Sequence, residues 1–127
     1  MTAAVDGSYV NTTGDLTSGL GNSGSATDTL VVVPEPGFAK VFGPNPVAAS
    51  TPSTLTFTVD NTGSTLAATA LDFTDPLPAG LVVAATPNAS TTCTGGTITA
   101  AAGTGTVAYT GGTVAAGATC TVSVDVT

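Results

Sequence analysis

Apolar and hydroxyl-bearing residues alternate along several stretches of this chain, and this alternation limits its fold more than any other feature. Between positions 54 and 59, large apolar residues alternate with threonines, and the same period of two recurs at residues 71–74, 106–110 and 121–126. Side chains of a β-strand point alternately to the two faces of a sheet, so each stretch predicts a strand with one apolar and one polar face. Helix is disfavoured, because threonine, valine and glycine are poor helix formers. The pattern therefore predicts an all-β fold.

Short turn-forming sequences separate these predicted strands. Residues 75–80, DPLPAG, combine an aspartate that can bond local backbone N–H groups with two prolines and a final glycine. Glycines at 95–96, 103–105 and 111–112 predict further turns. Many short strands at this spacing are typical of an antiparallel β-sandwich, which we predict over residues 38–127.

The first 33 residues differ from the rest. Residues 7–11 and 26–33 predict two strands, joined by a loop rich in Gly, Ser and Asn at about 14–24. Two strands alone are marginally stable in water, so they must join something else. The sequence PEPG at 34–37 then interrupts any strand pairing. The predicted organisation is a two-strand segment 1–33, a linker 34–37 and a sandwich 38–127.

Charged side chains are scarce, and this scarcity excludes most catalytic chemistry. Lys40 is the single basic residue of the 127, against eight Asp and Glu, and there is no His or Trp. Without imidazole, general-base catalysis and His-based metal sites are unavailable, so we expect no enzyme and no cofactor or metal. A net charge of −7 excludes nucleic acid as a partner, because phosphates are neutralised by Lys and Arg.

No stretch predicts a targeting or membrane segment. The apolar runs fall far short of the roughly 20 residues that a transmembrane helix needs, so we expect no membrane insertion. No basic-headed signal peptide opens the chain, and we expect a mature product or a piece of a longer protein.

Two cysteines, Cys93 and Cys120, lie in threonine-rich sequence that resembles strands. A metal site is disfavoured because no further Cys or His can complete it. Two buried free thiols remain an alternative to a disulfide. We predict the Cys93–Cys120 disulfide, which would stabilise the fold by roughly 3–4 kcal/mol and implies an oxidising, extracytoplasmic compartment.

Several of these segments together resemble the DUF11-type Ig-like repeats, which occur in tandem in large bacterial surface and secreted proteins. The resemblance is carried by residues 38–42, 54–61 and 73–83, the last containing DPLPAGL, and by the sequences around both cysteines. It implies an Ig-like antiparallel β-sandwich, secreted and held at the cell surface.

The order of these segments is permuted relative to such arrays. In them, a stretch like residues 7–33 ends a repeat, whereas here it precedes the strand with Lys40. The chain is therefore either one period of a longer array or a subunit that donates residues 1–33 to complete a neighbour's sandwich. A sandwich without its last strands exposes unpaired edges, and strands from another copy would cover them. The competing outcome is that residues 1–33 fold back onto their own sandwich.

Lys40 and Asn11 form a candidate isopeptide pair, because some Ig-like surface modules lock strands through a Lys–Asn or Lys–Asp bond beside a carboxylate. Asp60, Asn61 and Asp72 are alternative partners. The competing interpretation is an exposed lysine that protects an edge strand from aggregation.

Three aspartates and two asparagines suggest other sites. Asp60, Asp72 and Asp75 offer oxygen ligands for calcium, but they lack the spacing of a calcium loop, and turn formation or solvent exposure is the default. Asn11 and Asn88 each begin an N-x-[ST] glycosylation sequence, a pattern frequent by chance in threonine-rich chains.

Two functions follow from these features. We expect a building block of an extracellular bacterial filament or long surface array, assembled head-to-tail from copies of itself. The alternative is a ligand-binding module of an adhesin that engages a glycan or host surface. Glycan sites usually need aromatic platforms, and this chain offers no Trp and only Tyr9 and Tyr109.

Overall fold

The computed structural model describes residues 5–127, which contain strands, turns and loops but no helix. The prediction of an all-β, antiparallel fold is confirmed, since every strand pair described is antiparallel. The first four residues of the predicted segment 1–33 lie outside the described part. The chain divides into two compact units, Met1–Pro34 and Glu35–Thr127, at a boundary inside the predicted linker.

In the part of the chain that the structure describes, no helix has the length and apolar character needed to cross a membrane.

The first unit is a long hairpin. Strand β1 (Gly7–Thr12) pairs with β4 (Thr27–Val32), and the short strands β2 (Thr17–Ser18) and β3 (Gly21–Asn22) pair at the tip. The sequence predicted a loop at about 14–24, and the structure instead has two short paired strands within this range. Backbone bonds between Leu16 and Gly24 and between Ser23 and Leu16, each 2.8 Å, continue the ladder through the glycine-rich sequence.

The second unit contains seven strands in two sheets. One sheet has the order β5-β6-β11-β8 and the other has the order β7-β10-β9. The strands are β5 (Gly37–Gly43), β6 (Ser53–Asp60), β7 (Ala68–Pro76), β8 (Ser90–Thr91), β9 (Thr94–Thr99), β10 (Thr106–Val114) and β11 (Thr119–Val126).

The core lies between these sheets and follows the period-two pattern of the sequence. Leu55, Phe57 and Val59 of β6 are buried, and Val122, Val124 and Val126 of the paired strand β11 extend the same face. Full burial of one such side chain stabilises the fold by about 1.5–3 kcal/mol. The alternating threonines and serines point to the other face of this sheet.

Two predicted glycine turns are instead parts of strands. Gly95 and Gly96 lie in β9, and Gly111 and Gly112 lie in β10, where the register with β7 shifts. Glycine is needed at Gly96 and Gly112 because the fully buried ring of Tyr109 packs directly against the backbone there. A Cβ at Gly96 would lie 2.5 Å from Tyr109 Oη, and one at Gly112 would also clash with the ring.

The predicted turn at 75–80 begins later than the sequence indicates. Strand β7 runs through Asp75 to Pro76 because both residues still face β10, opposite Val107 and Thr106. Proline is tolerated there because it ends a strand at the edge of its sheet.

Candidate functional site: an open seam between β5 and β7

The two sheets of the sandwich have unequal width, which leaves the edge strand β5 partly covered. Phe57 of β6 packs against Phe73 of β7, and β11 packs against β10. β8 and β9 are consecutive in the chain and contact each other at the opposite side of the sandwich. Four strands of the second unit thus face three, and β5 lies at the edge of the wider sheet, where Phe38 and Lys40 contact side chains of β7. We call the space above β5 and beside β7 the seam.

Aromatic rings line the seam. Phe38 of β5 stacks beside Phe57 with ring centroids 6.0 Å apart, and its ring lies 5.1 Å from that of Phe73. Yet Phe38 remains 58 % exposed. An apolar groove of about 150 Å³ opens here, with Val59 and Leu71 also in its wall. The exposed ring and the apolar groove beside it form a candidate contact surface.

Both strands beside the seam have a free edge. β5 is hydrogen-bonded to β6 alone, and β7 is hydrogen-bonded to β10 alone, among the strands described. Exposed edges present unpaired N–H and C=O groups that accept a further strand. The seam therefore offers both parts of a β-augmentation site, an apolar floor and a free backbone edge.

The one lysine of the chain bridges the seam. Lys40 lies on the same face of β5 as Phe38 and Phe42, because side chains two residues apart share a face. Its Nζ lies 3.1 Å from each carboxylate oxygen of Asp75 on β7. The Lys40 side chain is 50 % exposed and that of Asp75 only 13 %. An ion pair thus stands beside a wall of phenylalanine rings, in a cavity of about 300 Å³.

In the first unit, one face of the hairpin is apolar at the open end and polar towards the tip, where Asn11 stands opposite Asp28. Residues directly opposite in an antiparallel pair share a face, so Tyr9 lies beside Leu30, and Gly7 lies beside Val32. Leu30 is 65 % exposed. Asn11 belongs to the same face, one pair further along. The opposite face carries Val10 and Val31 among hydroxyl side chains.

The remaining predicted residues have structural roles in the described chain. Cys93 and Cys120 are joined by a disulfide, with their Cα atoms 4.9 Å apart. Asn61 is buried and donates hydrogen bonds to the carbonyls of Leu66 at 2.8 Å and Ala115 at 3.1 Å. The side-chain amide of Asn61 is therefore bonded to backbone carbonyls and not to Lys40.

Two aspartates accept hydrogen bonds that favour their charged form. The hydroxyl of Thr62, and then its backbone N–H, lower the pKa of Asp60. The hydroxyl of Thr54 at 2.6 Å and the amide of Asn88 at 2.7 Å lower the pKa of Asp125. Within residues 5–127, no three acidic, His or Cys side chains come together as a metal site would require. Asp72 is exposed on β7.

The sequence named Lys40 but missed its surroundings. Asp75 was assigned to a turn, and Phe38 and Phe73 were not singled out. The sequence did contain a signal for the face that carries Lys40. Phe38, Lys40 and Phe42 alternate with smaller residues, so their side chains must lie on the same face of one strand. Which strand stands opposite that face is a tertiary property.

Fold and site together define a small disulfide-bonded β-sandwich with an open edge. The model of the family described as domain of unknown function DUF7933 matches residues 36–127, and the chain belongs to this family. No curated protein and no solved structure matches the chain. The likeness to DUF11-type repeats remains a resemblance. The disulfide is compatible with an extracellular location.

Proposed function

We propose that this protein is a structural building block of an extracellular bacterial filament or long surface array. In this proposal, the β1–β4 hairpin of one copy fills the seam of the next copy and completes its sandwich. The observation that carries the proposal is the seam itself, where the half-exposed Phe38 packs on the buried Phe57 and the partly buried Phe73 beside the free edge of β7. The finer likeness, to DUF11-type Ig-like surface repeats, belongs to this proposal as well.

The hairpin matches what the seam lacks. The hairpin would add two strands beside β7 and widen the three-stranded sheet to five, and the hairpin face with Tyr9 and Leu30 would cover Phe38. Tyr9 adds a further argument, since its hydroxyl donates to the carbonyl of Val5 at 2.6 Å. A tyrosine near the start of a strand, bonded to backbone a few residues upstream, is a hallmark of Ig-like sandwiches.

Head-to-tail donation produces a chain of copies. The donated hairpin and the receiving seam are different surfaces, so the contact is heterologous, and it continues into an open filament when the rotation between copies does not close a ring. Few charged groups need to be desolvated on contact, because only 7 % of the residues in the chain are charged. Joined by main-chain ladders, such copies would form a filament.

The test uses two disabled variants of the full chain and two matched controls. Leu30→Asp places a charge on the apolar hairpin face, and Phe38→Asp places one in the seam. Thr29→Asp and Val41→Asp place the same charge on the opposite faces of the same two strands. Light scattering and electron microscopy should show polymers for the wild type and both controls, and monomers for each disabled variant.

Mixing the two disabled variants gives the sharpest result. Phe38→Asp keeps a working hairpin and Leu30→Asp keeps a working seam, so the mixture should form dimers that cannot grow. A wild-type protein that stays monomeric at high concentration would refute the proposal.

The alternative is a ligand-binding module of an adhesin, and the aromatic wall of the seam is the observation in its favour. A glycan or a host surface group would then occupy the groove beside Phe38. A monomeric wild type whose glycan binding is lost in Phe38→Asp, but kept in Val41→Asp, would support this alternative.

A further inference from the structure

We propose that residues 82–92 are a removable cover on the edge of β11 that faces away from β6, and that reduction of the Cys93–Cys120 disulfide opens this edge to β11 of a second copy. We call residues 82–92 the edge cover. The surface lies within the second unit and does not involve the seam. What carries the proposal is that the edge cover bonds the backbone of β11 almost without forming a strand.

The edge cover occupies the hydrogen-bonding groups that a neighbouring strand would otherwise use. β11 pairs with β6 along one edge, and along the other it pairs as a strand with the two residues of β8 alone, apart from a single bridge near its end. Beyond β8, the carbonyl of Pro87 accepts a hydrogen bond from the amide of Asp125 at 2.7 Å. At the other end, the amide of Thr121 donates to the hydroxyl of Thr92 at 2.8 Å. An irregular segment that covers an edge in this way keeps other chains from pairing with it.

Apolar packing fixes the edge cover at its start but not in its middle. Val83 is fully buried, whereas residues 88–90 are exposed. The middle is held by hydrogen bonds, including one from the Asn88 amide to the Asp125 carboxylate at 2.7 Å. Segments with few buried apolar contacts open locally at a lower free energy than the core does. The middle of the edge cover can therefore open while the core stays folded.

The disulfide closes the far end of the edge cover. It joins Cys93, which directly follows the cover, to Cys120 of β11. A dithiol reduces the bond by two electrons: the Sγ–Sγ bond breaks, the two protons of the dithiol pass to the two sulfurs, and the dithiol becomes a cyclic disulfide. The covalent tie between the cover and its strand is then lost. Hydrogen bonds and packing alone hold that end of the cover on β11.

The uncovered edge of β11 fits a second copy of itself. Antiparallel pairing about a two-fold axis at Ser123 places Thr121 of each copy opposite Asp125 of the other. A hydroxyl donor then faces each carboxylate, and the two aspartates do not meet. In the same register Val122 lies opposite Val124, on the side that each core already buries. Because both copies use the same surface, the contact closes as a dimer.

The experiment measures amide hydrogen exchange and mass in solution for Phe38→Asp, with and without dithiothreitol. This variant carries a charge in the seam, so association seen in it does not pass through that surface. After reduction, exchange of the Thr121 and Asp125 amides should accelerate by about tenfold or more. The amides of Val122 and Val124 point to β6 and should remain slower than these two. Light scattering should show a dimer that returns to monomer on reoxidation.

Further variants separate the cover from the pairing. Asn88→Gly removes the amide bond to Asp125 and suits the φ of 45° at this position, so it should accelerate exchange of the Asp125 amide even with the disulfide intact. Ser123→Lys, added to Phe38→Asp, places two lysines opposite each other at the two-fold axis and should prevent the dimer. Thr58→Lys on β6 is the matched control on the same face of the sheet, and it should keep the dimer.

The outcomes test the cover and the pairing one at a time. Equal exchange of the Asp125 and Val124 amides after reduction would show that the sandwich opens as a whole, and would overturn the cover. Faster exchange at Asp125 in a protein that stays monomeric would overturn the pairing between copies. A dimer that persists in Ser123→Lys would overturn β11 as the contact. None of these results depends on whether copies also join through the seam.

Discussion

The ring of Tyr109 crosses Gly96 so closely that a Cβ on this glycine would lie 2.5 Å from the phenol oxygen. The same oxygen donates a hydrogen bond to the carbonyl of Gly95 at 2.7 Å. Tyr109 is fully buried, so the tyrosine and the glycines of β9 form one packed unit in the second sheet.

Gly96→Ala should therefore be strongly destabilising. The position has a φ of +81°, where a non-glycine residue costs about 1–2 kcal/mol, and displacement of Tyr109 adds about 1–3 kcal/mol of repacking. Urea unfolding should show a total loss of about 2–5 kcal/mol. Gly103→Ala is the matched control, because Gly103 has a φ of +78° but open space around it. Equal losses in both variants would contradict the role of Tyr109.

Reduction of the disulfide should destabilise the sandwich without changing its fold. Cys93 and Cys120 are 27 residues apart, and closing a loop of that size stabilises by about 3.5 kcal/mol in the chain-entropy description. Urea unfolding with and without reductant measures the difference. The double variant Cys93→Ser, Cys120→Ser should match the reduced protein and be insensitive to reductant.

Acid should remove the contribution that the charged carboxylate of Asp125 makes to the free energy of unfolding. Its pKa is lowered in the folded state, chiefly by the Thr54 hydroxyl and also by the Asn88 amide. A carboxyl whose folded pKa is depressed contributes stability that is present above its unfolded pKa of about 3.9 and is lost as pH falls through the folded value. Unfolding followed from pH 6 downwards should thus show a shallower acid loss in Asp125→Asn than in wild type. Asp72→Asn is the control, and an equal flattening there would contradict this assignment.

Replacing Lys40 should change stability little. The pair with Asp75 is half exposed on the lysine side, and exposed ion pairs contribute about 0–1 kcal/mol. Lys40→Met keeps the length and apolar stem of the side chain, so its urea midpoint should stay close to that of the wild type. A loss well beyond this range would show that Lys40 holds the two sheets together in the single copy.

Local patterns made the strands and the inward face of β6 predictable. Alternation around Phe57 fixes which side chains share a face, because the period of a strand is a property of the backbone itself. Turns were wrongly predicted at the glycines of β9 and β10, because the role of these glycines depends on packing against a residue that is not their neighbour in the chain. A glycine that bends a chain and a glycine that makes room for Tyr109 look identical in sequence, and only the packed neighbour distinguishes them.

For the seam, the sequence by itself determined that Phe38, Lys40 and Phe42 lie on one face of one strand, and that the chain contains a single lysine. It also placed Cys93 and Cys120 in strand-like surroundings. Only the tertiary structure decided that Asp75 meets Lys40, that three strands face four, and that Phe38 stays uncovered. The physical reason is that alternation encodes the direction of each side chain locally, whereas the strand that stands opposite depends on how two sheets of unequal width pack.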